Sequence, residues 1–477
     1  MSRPVRPAHA GALLATIFSV QFLVALDVAL LNIALPDIQS DLDFTANGLQ
    51  WVVSAYLLTF AGFMLLGGRL GDLWGRRGVL TVGLIGFFAF SLAGALATNA
   101  AVLVAARAGQ GIAGALLAPA TLALIAAHFT EGPLRARALG LWGAAGAGGG
   151  AVGVVLSGVL SEYVGWRAVM LVNLPIAALA LVTTRRGVPR REGRDEPVRL
   201  DVPGAILVTL GMAGLILGVT AGSEDGWAEP RTIGTFAVAA ALLAAFVVVE
   251  ARSRRPLMPL YVLGIRSVLG ANVFGFMLAA AQLASFYFVS LYVQQVWGTS
   301  AQVAGLMFVP FCVFVVAGIQ VATRLDAAVG PRVTLTVLGL VGAAGLFWFS
   351  RMGPDDNFLT GMLGPSLLGG AGIGGTLVVL GRAATAGVDP RDAGVASGVL
   401  NSFRQLGGTL GLAVLVSLAA ATTRGSDAAS PALALGEGYT AGLAVAAALL
   451  FIGALLGFAL LARRERAPEG APASVIS

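Results

Sequence analysis

A polytopic, all-helical membrane protein is the fold class this sequence predicts, on three observations. Of the 477 residues, 57% are hydrophobic and only 11% charged, where a soluble protein carries about 25% charged residues. Apolar runs long enough to cross a bilayer, which takes about 20 residues of helix, recur from end to end. The arginines fall in alternate loops between those runs. A transmembrane barrel is excluded, because its alternating segments of about ten residues are absent.

We read fourteen spans, at 11–36, 48–68, 78–97, 101–127, 136–160, 166–184, 201–221, 231–250, 266–296, 299–323, 332–351, 358–380, 393–421 and 438–462. One set of loops carries Arg3 and Arg6; Arg69, Arg76 and Arg77; Arg135 and Arg137; Arg185 to Arg199; Arg252, Arg254 and Arg255; Arg324 and Arg332; Arg382 and Arg391; and Arg463, Arg464 and Arg466. The other set is mostly acidic, with Asp37, Asp41, Asp43, Glu162, Glu224, Asp225, Glu229, Asp355, Asp356, Asp427 and Glu437. Basic loops face the cytoplasm, so both termini are expected there, in a multi-pass cell-membrane protein.

Composition narrows the function. All 30 basic residues are arginine. A Walker A loop needs its lysine, so an ATP-driven pump in one chain is excluded, as is Schiff-base chemistry. The net charge of +6 sits in loops between spans and reads as topology, not as a nucleic-acid surface. Cys312 is the single cysteine, and His9 and His128 lie far apart. No disulfide within the chain, metal site or cofactor is expected. The first apolar stretch is too long for a cleavable signal peptide and lacks a small-residue cleavage pattern.

The stretch from Leu26 to Pro36 closes the first span, with Asp27 inside it. A carboxylate at that depth costs about 2.5–3.5 kcal/mol on insertion scales. Desolvation disfavours its charged form, so a carboxyl facing a cavity can couple proton binding to movement. The basic linker from Arg185 to Arg199, with Pro189, Gly193 and Pro197, reads as the joint between two six-span halves. The expected units are 1–200, an inserted two-helix hairpin at 201–255, and 256–477. A weak repeat supports two halves: Gly68 to Arg77 follows span two, and Arg324 to Arg332 follows span ten. Duplicated halves around a midplane site are a transporter signature.

On these motifs the chain resembles the major facilitator superfamily, and within it the fourteen-span drug:proton antiporters. Leu26-Asp27, Asn32 and Ala34-Leu35-Pro36 look like the first-span motif. Gly68, Asp72 and Gly75-Arg76-Arg77 are similar to the loop 2–3 motif, with Leu73 where a basic residue is usual. Arg107-Ala108-Gly109-Gln110-Gly111, Gly114 and Pro119 look like the span-four motif, whose arginine the family assigns to proton coupling. Trp166-Arg167 with Asn173-Leu174-Pro175, and Asn401 with Arg404 to Gly408, also read as this subfamily. One departure stands out. Where the span-five antiporter motif has Gly-Pro and Gly-Gly, this chain has Gly153-Val154 and Ser157-Gly158, which leaves antiport and symport both open. The resemblance implies the major facilitator fold plus two inserted helices, and no enzymatic activity.

Asp27 lies nine residues before Pro36, about 14 Å, and Arg107 about six residues into span four, about 9 Å from the same surface. They can pair, either as a proton switch that opens when Asp27 is protonated or as a static link between helices. Arg404 is a third charge at depth, with no acid inside spans nine to fourteen to answer it. It reaches Asp27, binds backbone carbonyls or Gln405, or meets substrate. Two arginines against one carboxylate make neutral or anionic amphiphiles better substrates than dications. Gly68, Asp72, Gly75, Arg76 and Arg77 form a cytoplasmic latch between halves, or serve topology alone; Asp326 is a weaker counterpart. The glycines from Gly143 to Gly158 serve close packing or a hinge. In span nine, Asn272, Gln282, Phe286, Tyr287 and Gln294 line a drug cavity or anchor the interface. Asn32, Trp51, Tyr56 and Asn401 are further cavity candidates. Cys312, Met307 and His128 read as packing or surface residues. The function expected is proton-coupled export of small amphipathic compounds such as drugs, dyes or antibiotics by a monomer. Transport of one endogenous metabolite or lipid, and a membrane sensor, are the alternatives.

Overall fold

The computed structural model describes residues 7–129, 133–189, 202–253, 261–388 and 393–461. Among the described residues the chain is helical throughout, with no strand. The first group is α1 (Pro7–Asp41), α2 (Ala46–Trp74), α3 (Arg76–Ala95), α4 (Ala100–His128), α5 (Pro133–Tyr163), α6 (Trp166–Leu171) and α7 (Asn173–Gly187). A hairpin of α8 (Val202–Glu224) and α9 (Pro230–Arg252) follows, then the short α10 (Tyr261–Gly264). The last group is α11 (Arg266–Gln295), α12 (Ala301–Met307), α13 (Val309–Val329), α14 (Pro331–Phe349), a π-type turn (Phe358–Leu363), α15 (Gly364–Thr385), α16 (Ala393–Arg424) and α17 (Pro431–Leu460). Among the described residues, twelve stretches are long and apolar enough to cross a membrane, and two shorter apolar stretches, Gly48–Met64 and Ile206–Val219, lie in α2 and α8. Pairs α6–α7 and α12–α13 each make one such stretch; at the second junction Pro310, at the start of α13, has no N–H to continue the ladder.

Helix ends follow local chemistry. Thr45, Asn99, Ser300 and Ser430 each accept a backbone N–H from the first turn of the helix they precede. The tight turns at Gly75 (φ +79°) and Gly330 (φ +83°) need glycine's left-handed freedom. They occupy matching places in the two groups, after α2 and after α13, where the sequence repeat sets them. The end of the bundle that carries the α1–α2 turn is called the Asp41 face below, and the opposite end the Gly75 face.

Within the first group α1 packs on α5, α7 and α4, and α2 and α3 pack on α4. In the last group α11 packs on α16 and α17, while α13 and α14 flank α15. Contacts between groups run through α1–α11, α5–α12 and α2–α16. The α8–α9 hairpin leans on α2 and α16 through α8, and Thr209 donates to the Gly62 carbonyl at 2.6 Å. Only 17% of α9's apolar window is buried, so that helix lies at the periphery.

The first helix does not stop at Pro36. It runs on to Asp41, five residues past the limit expected from hydropathy. A proline inside a helix leaves the carbonyl four residues earlier without its donor. Here that carbonyl is Asn32's, and Ser290 of α11 donates to it at 2.8 Å. Gln294 donates to the next carbonyl, Ile33, at 3.2 Å. The backbone cost of Pro36 is thus offset by a neighbouring helix, and the same bonds tie the two groups together toward the Asp41 face. Gln295 to Gln39 at 3.2 Å and Tyr163 to Gln302 at 3.0 Å add to that closure.

Candidate functional site

Asp27 and Arg107 meet in the middle of the first group. Close helix approach makes this possible. A Cβ on Gly111 would overlap the Tyr56 carbonyl, and one on Gly153 would press on Ala29 and the Leu26 carbonyl. Glycine at those positions lets α4 close on α2 and α5 close on α1. Within the glycine-rich run of α5, Gly149 and Gly153 meet α1 and Gly158 meets Ala301 of α12, whereas a Cβ at Gly143, Gly148 or Gly150 would meet open space.

Arg107 Nη1 donates to Asp27 Oδ2 at 2.7 Å, with both side chains almost fully buried. The rest of the shell fixes both groups. Arg107 Nε donates to the Val52 carbonyl at 3.0 Å, and Nη1 also reaches Gln110 Oε1 at 2.7 Å. Gln110 Nε2 donates to Asp27 Oδ1 at 3.3 Å and to Ser91 Oγ at 2.7 Å. Asn173 Nδ2 donates to Asp27 Oδ1 at 2.6 Å. The Tyr56 ring lies under the guanidinium at 4.5 Å and stacks on Phe60. The carboxylate thus receives hydrogen bonds from three side chains on two helices. That shell offsets the desolvation of a buried ion pair, and losing either partner of such a pair typically costs about 3–5 kcal/mol. Asn173 Oδ1 has no partner.

A second element is a narrow apolar hollow of about 10 Å³ in the last group, lined by Gln282, Phe286 and Val289 of α11, Phe308 and Phe311 at the α12–α13 junction, and Ile373 of α15 among others. Phe286 stacks on Phe308, with centroids 5.5 Å apart, and meets Phe311 edge-on at 4.9 Å. A third feature is a hollow at the Asp41 face lined by Asp37, Asp41, Ser161, Trp166 and Arg167. There Asp41 accepts from Trp166 Nε1 at 3.0 Å and pairs with Arg167 at 2.7 Å, tying α1 to α6.

The other expected site residues fall as follows. Tyr56 belongs to the Arg107 shell. Asn32 donates to its own helix at Val28, at 3.2 Å, and its Oδ1 has no partner. Gln282 and Phe286 line the narrow apolar hollow. Tyr287 is buried and packs edge-on against Phe288, facing away from the residues that line it. Trp51 and Asn401 are half-buried, and the structure gives neither a distinct contact. Asn272 bonds within its own helix, and Gln294 serves the α1 contact. Arg404 does not reach Asp27; its Nε is buried without a partner. Of the latch set, Gly75 forms the α2–α3 turn and Gly68 faces Pro119 of α4. Arg77 donates to the Val188 carbonyl at 3.1 Å, within the first group. Arg76 is half-buried, and the side chain of Asp72 lies outside the described residues. Asp326 pairs with Arg382 inside the last group.

Gln110 and Asn173 were absent from the expected site, although both lie in motifs the sequence displays. Asn173 is 146 positions from Asp27, and no periodicity links the two.

The Major Facilitator Superfamily signature matches residues 17–412. The chain belongs to the major facilitator superfamily. Within this superfamily it is 44% identical over 415 residues to the cephamycin export protein CmcT of Amycolatopsis lactamdurans, covering 85% of this chain and 84% of that one. It is 37% identical over 472 residues to the puromycin resistance protein pur8 of Streptomyces alboniger, covering 97% and 93%. Identity to the lincomycin resistance protein of Streptomyces lincolnensis is 36%, over 85% of this chain and 84% of that one. Its fold is shared with a bacterial homologue of the human lysosomal transporter Spinster, solved inward-facing and unoccupied, at TM-score 0.65, 16% identity, and coverage of 96% and 97%.

Proposed function

We propose that this chain exports small amphipathic compounds, antibiotics among them, across the cytoplasmic membrane by alternating access driven by the proton gradient. The observation that carries the proton part is the sealed Asp27 carboxylate, held by Arg107, Gln110 and Asn173. An ionised carboxylate only accepts hydrogen bonds; a protonated one has an O–H to place. Protonation would therefore break a shell built of donors and leave Arg107 buried without its counter-charge. That is a bistable element a single proton can bias. Export is supported by relatives named for cephamycin, puromycin and lincomycin, which span nearly the whole chain.

In this reading α2 and α8 complete fourteen spans, and the Gly75 face with both termini is cytoplasmic. The units are 1–200, the hairpin 201–255 and 256–477, working as a monomer without a cofactor. The two six-span units rock about the bound substrate, and the bonds toward the Asp41 face would make this the state closed to the outside. Gly68, Asp72, Gly75, Arg76 and Arg77 would meet the other unit when the cytoplasmic side closes. Asn32, Trp51, Tyr56, Gln282, Phe286, Tyr287, Asn401 and Arg404 would face substrate at some stage of the cycle.

The test is accumulation of a fluorescent dye or an antibiotic in cells carrying the wild type or Asp27→Asn, with and without a proton gradient. The expected result is low accumulation only for the wild type with the gradient intact. Equal accumulation in all arms would remove the exporter reading, and substrate-driven proton movement of opposite sign would favour symport.

A further inference from the structure

The outer seam between α14 and α17 carries a charge that the bundle does not use up. Arg332 is the second residue of α14, and Phe458 the third from the end of α17, so they meet at the Gly75 face. Arg332 Nε donates to the Phe458 carbonyl at 2.6 Å, and the guanidinium lies over the Phe458 ring, 4.0 Å from its centroid. That carbonyl belongs to the last turn of α17, whose carbonyls lack donors within their own helix. The bond explains why an arginine is held there, yet it takes only one of five guanidinium N–H donors. Among the described residues, neither Nη has a partner and no carboxylate answers the charge.

The surface that leads away from this guanidinium is apolar. Phe451, Leu455 and Phe458 of α17 are exposed, as are Val333 and Val337 of α14. The three α17 residues are spaced four and three apart, so they form one stripe of that helix. The stripe borders the contact with α14, where a Cβ on Gly339 would sit 3.0 Å from Ala454 and one on Gly342 3.1 Å from Leu450. Two tightly packed helices thus present an apolar strip that starts at a fixed cation and runs toward the middle of the bundle. Each part alone is ordinary, since arginines gather at helix ends and lipid-facing surfaces are apolar. Joined on two locked helices, with the forked edge of the guanidinium unclaimed, they match an amphiphile with a phosphate head.

We infer that Arg332 and the α14–α17 strip hold an anionic phospholipid from the leaflet at the Gly75 face. The headgroup phosphate takes the two Nη groups of Arg332 in the forked geometry that guanidinium favours, and an acyl chain lies along Leu455 and Phe451. Arg332 then serves α17 through Nε and the lipid through Nη. A zwitterionic lipid brings a cationic group beside its phosphate and is held less well. The inference stands apart from the exporter reading, because it depends neither on what the chain carries nor on the direction of transport.

The test is native mass spectrometry of the purified, delipidated full chain in a neutral detergent, with phosphatidylglycerol or phosphatidylcholine of the same acyl chains added at rising concentration. The unsubstituted protein is expected to hold its first phosphatidylglycerol roughly fivefold more tightly than phosphatidylcholine, the scale of one basic side chain at an anionic headgroup. Arg332→Gln is expected to lose that preference while still retaining phosphatidylcholine, and Arg332→Lys, which keeps the charge but not the fork, to keep part of it. Arg266 is exposed at the start of α11, and Arg266→Gln is expected to leave the preference unchanged. Equal retention of the two lipids by the unsubstituted protein overturns the inference. So does an equal drop in Arg266→Gln and Arg332→Gln, which would mean diffuse attraction to a basic face. A lowered melting temperature in Arg332→Gln with the lipid preference intact would also overturn it, leaving Arg332 as a helix cap alone.

Discussion

Protonation of Asp27 changes what its two oxygens can do, and its neighbours decide how much that matters. Arg107, Gln110 and Asn173 all donate to them, and a protonated carboxyl would bring an O–H of its own into that shell of donors. The facing groups are Arg107 from α4 and the Tyr56 phenol from α2; the α3 and α7 neighbours, Ser91 and Asn173, do not titrate. Asn173→Leu removes one of the three donors to Asp27 at a cost of about 1–3 kcal/mol and is expected to raise drug accumulation in cells toward the level of Asp27→Asn. Asn173→Asp would add a second carboxyl to the shell and is expected to stop transport. Accumulation unchanged from the wild type in Asn173→Leu would mean that this bond does not matter to transport.

At the scale of elements, proline and glycine set which helices touch. Pro36 frees the Asn32 carbonyl, and Ser290 takes it up from the other group. Ser290→Ala leaves that buried carbonyl short of a donor, at a cost of about 1–3 kcal/mol, and only in the state where α1 and α11 meet. It is expected to shift the population away from closure at the Asp41 face. Gly111 works within the first group, where α4 closes on the Tyr56 backbone. Gly111→Val would force those helices apart at a cost of about 1–3 kcal/mol, and a lowered melting temperature of the purified protein is the measurement.

For the whole molecule, closure at the Asp41 face is the property to test. The single cysteine, Cys312, is free, so Cys312→Ser yields a background without thiols. In it, the pair Tyr163→Cys and Gln302→Cys replaces a 3.0 Å hydrogen bond between the groups. Bridging the two thiols with a short reducible reagent is expected to arrest transport, and reduction to restore it. Adding Ser290→Ala is expected to slow the bridging. Unchanged transport in the bridged protein would mean that these groups do not separate there.

Much of the architecture was legible because a bilayer leaves a chain few options. Backbone groups in hydrocarbon must be paired within the helix, so long apolar runs become helices wherever they occur. The Asp27–Arg107 pair was also legible, since two opposite charges at similar depth have few other partners. What escaped was of another kind. The end of α1 at Asp41 depends on a donor from α11, and the place of Asn173 depends on how α7 packs against α1. The latch residues show contacts within the first group through Arg77, and Asp326 finds Arg382 in its own group.

By itself the sequence determined the helical class, the family and two opposite charges at a depth where they could pair. Those follow from hydropathy, motif spacing and the cost of isolated charge, all of which act locally or leave few solutions. Only the tertiary structure decided that Asp27 is sealed by three donors, that Pro36 is answered by Ser290, and that Arg404 stays clear of Asp27 with its Nε buried and unpartnered. Each of these depends on the angle and register at which helices far apart in sequence pack, and that is set by side-chain fit across the whole bundle.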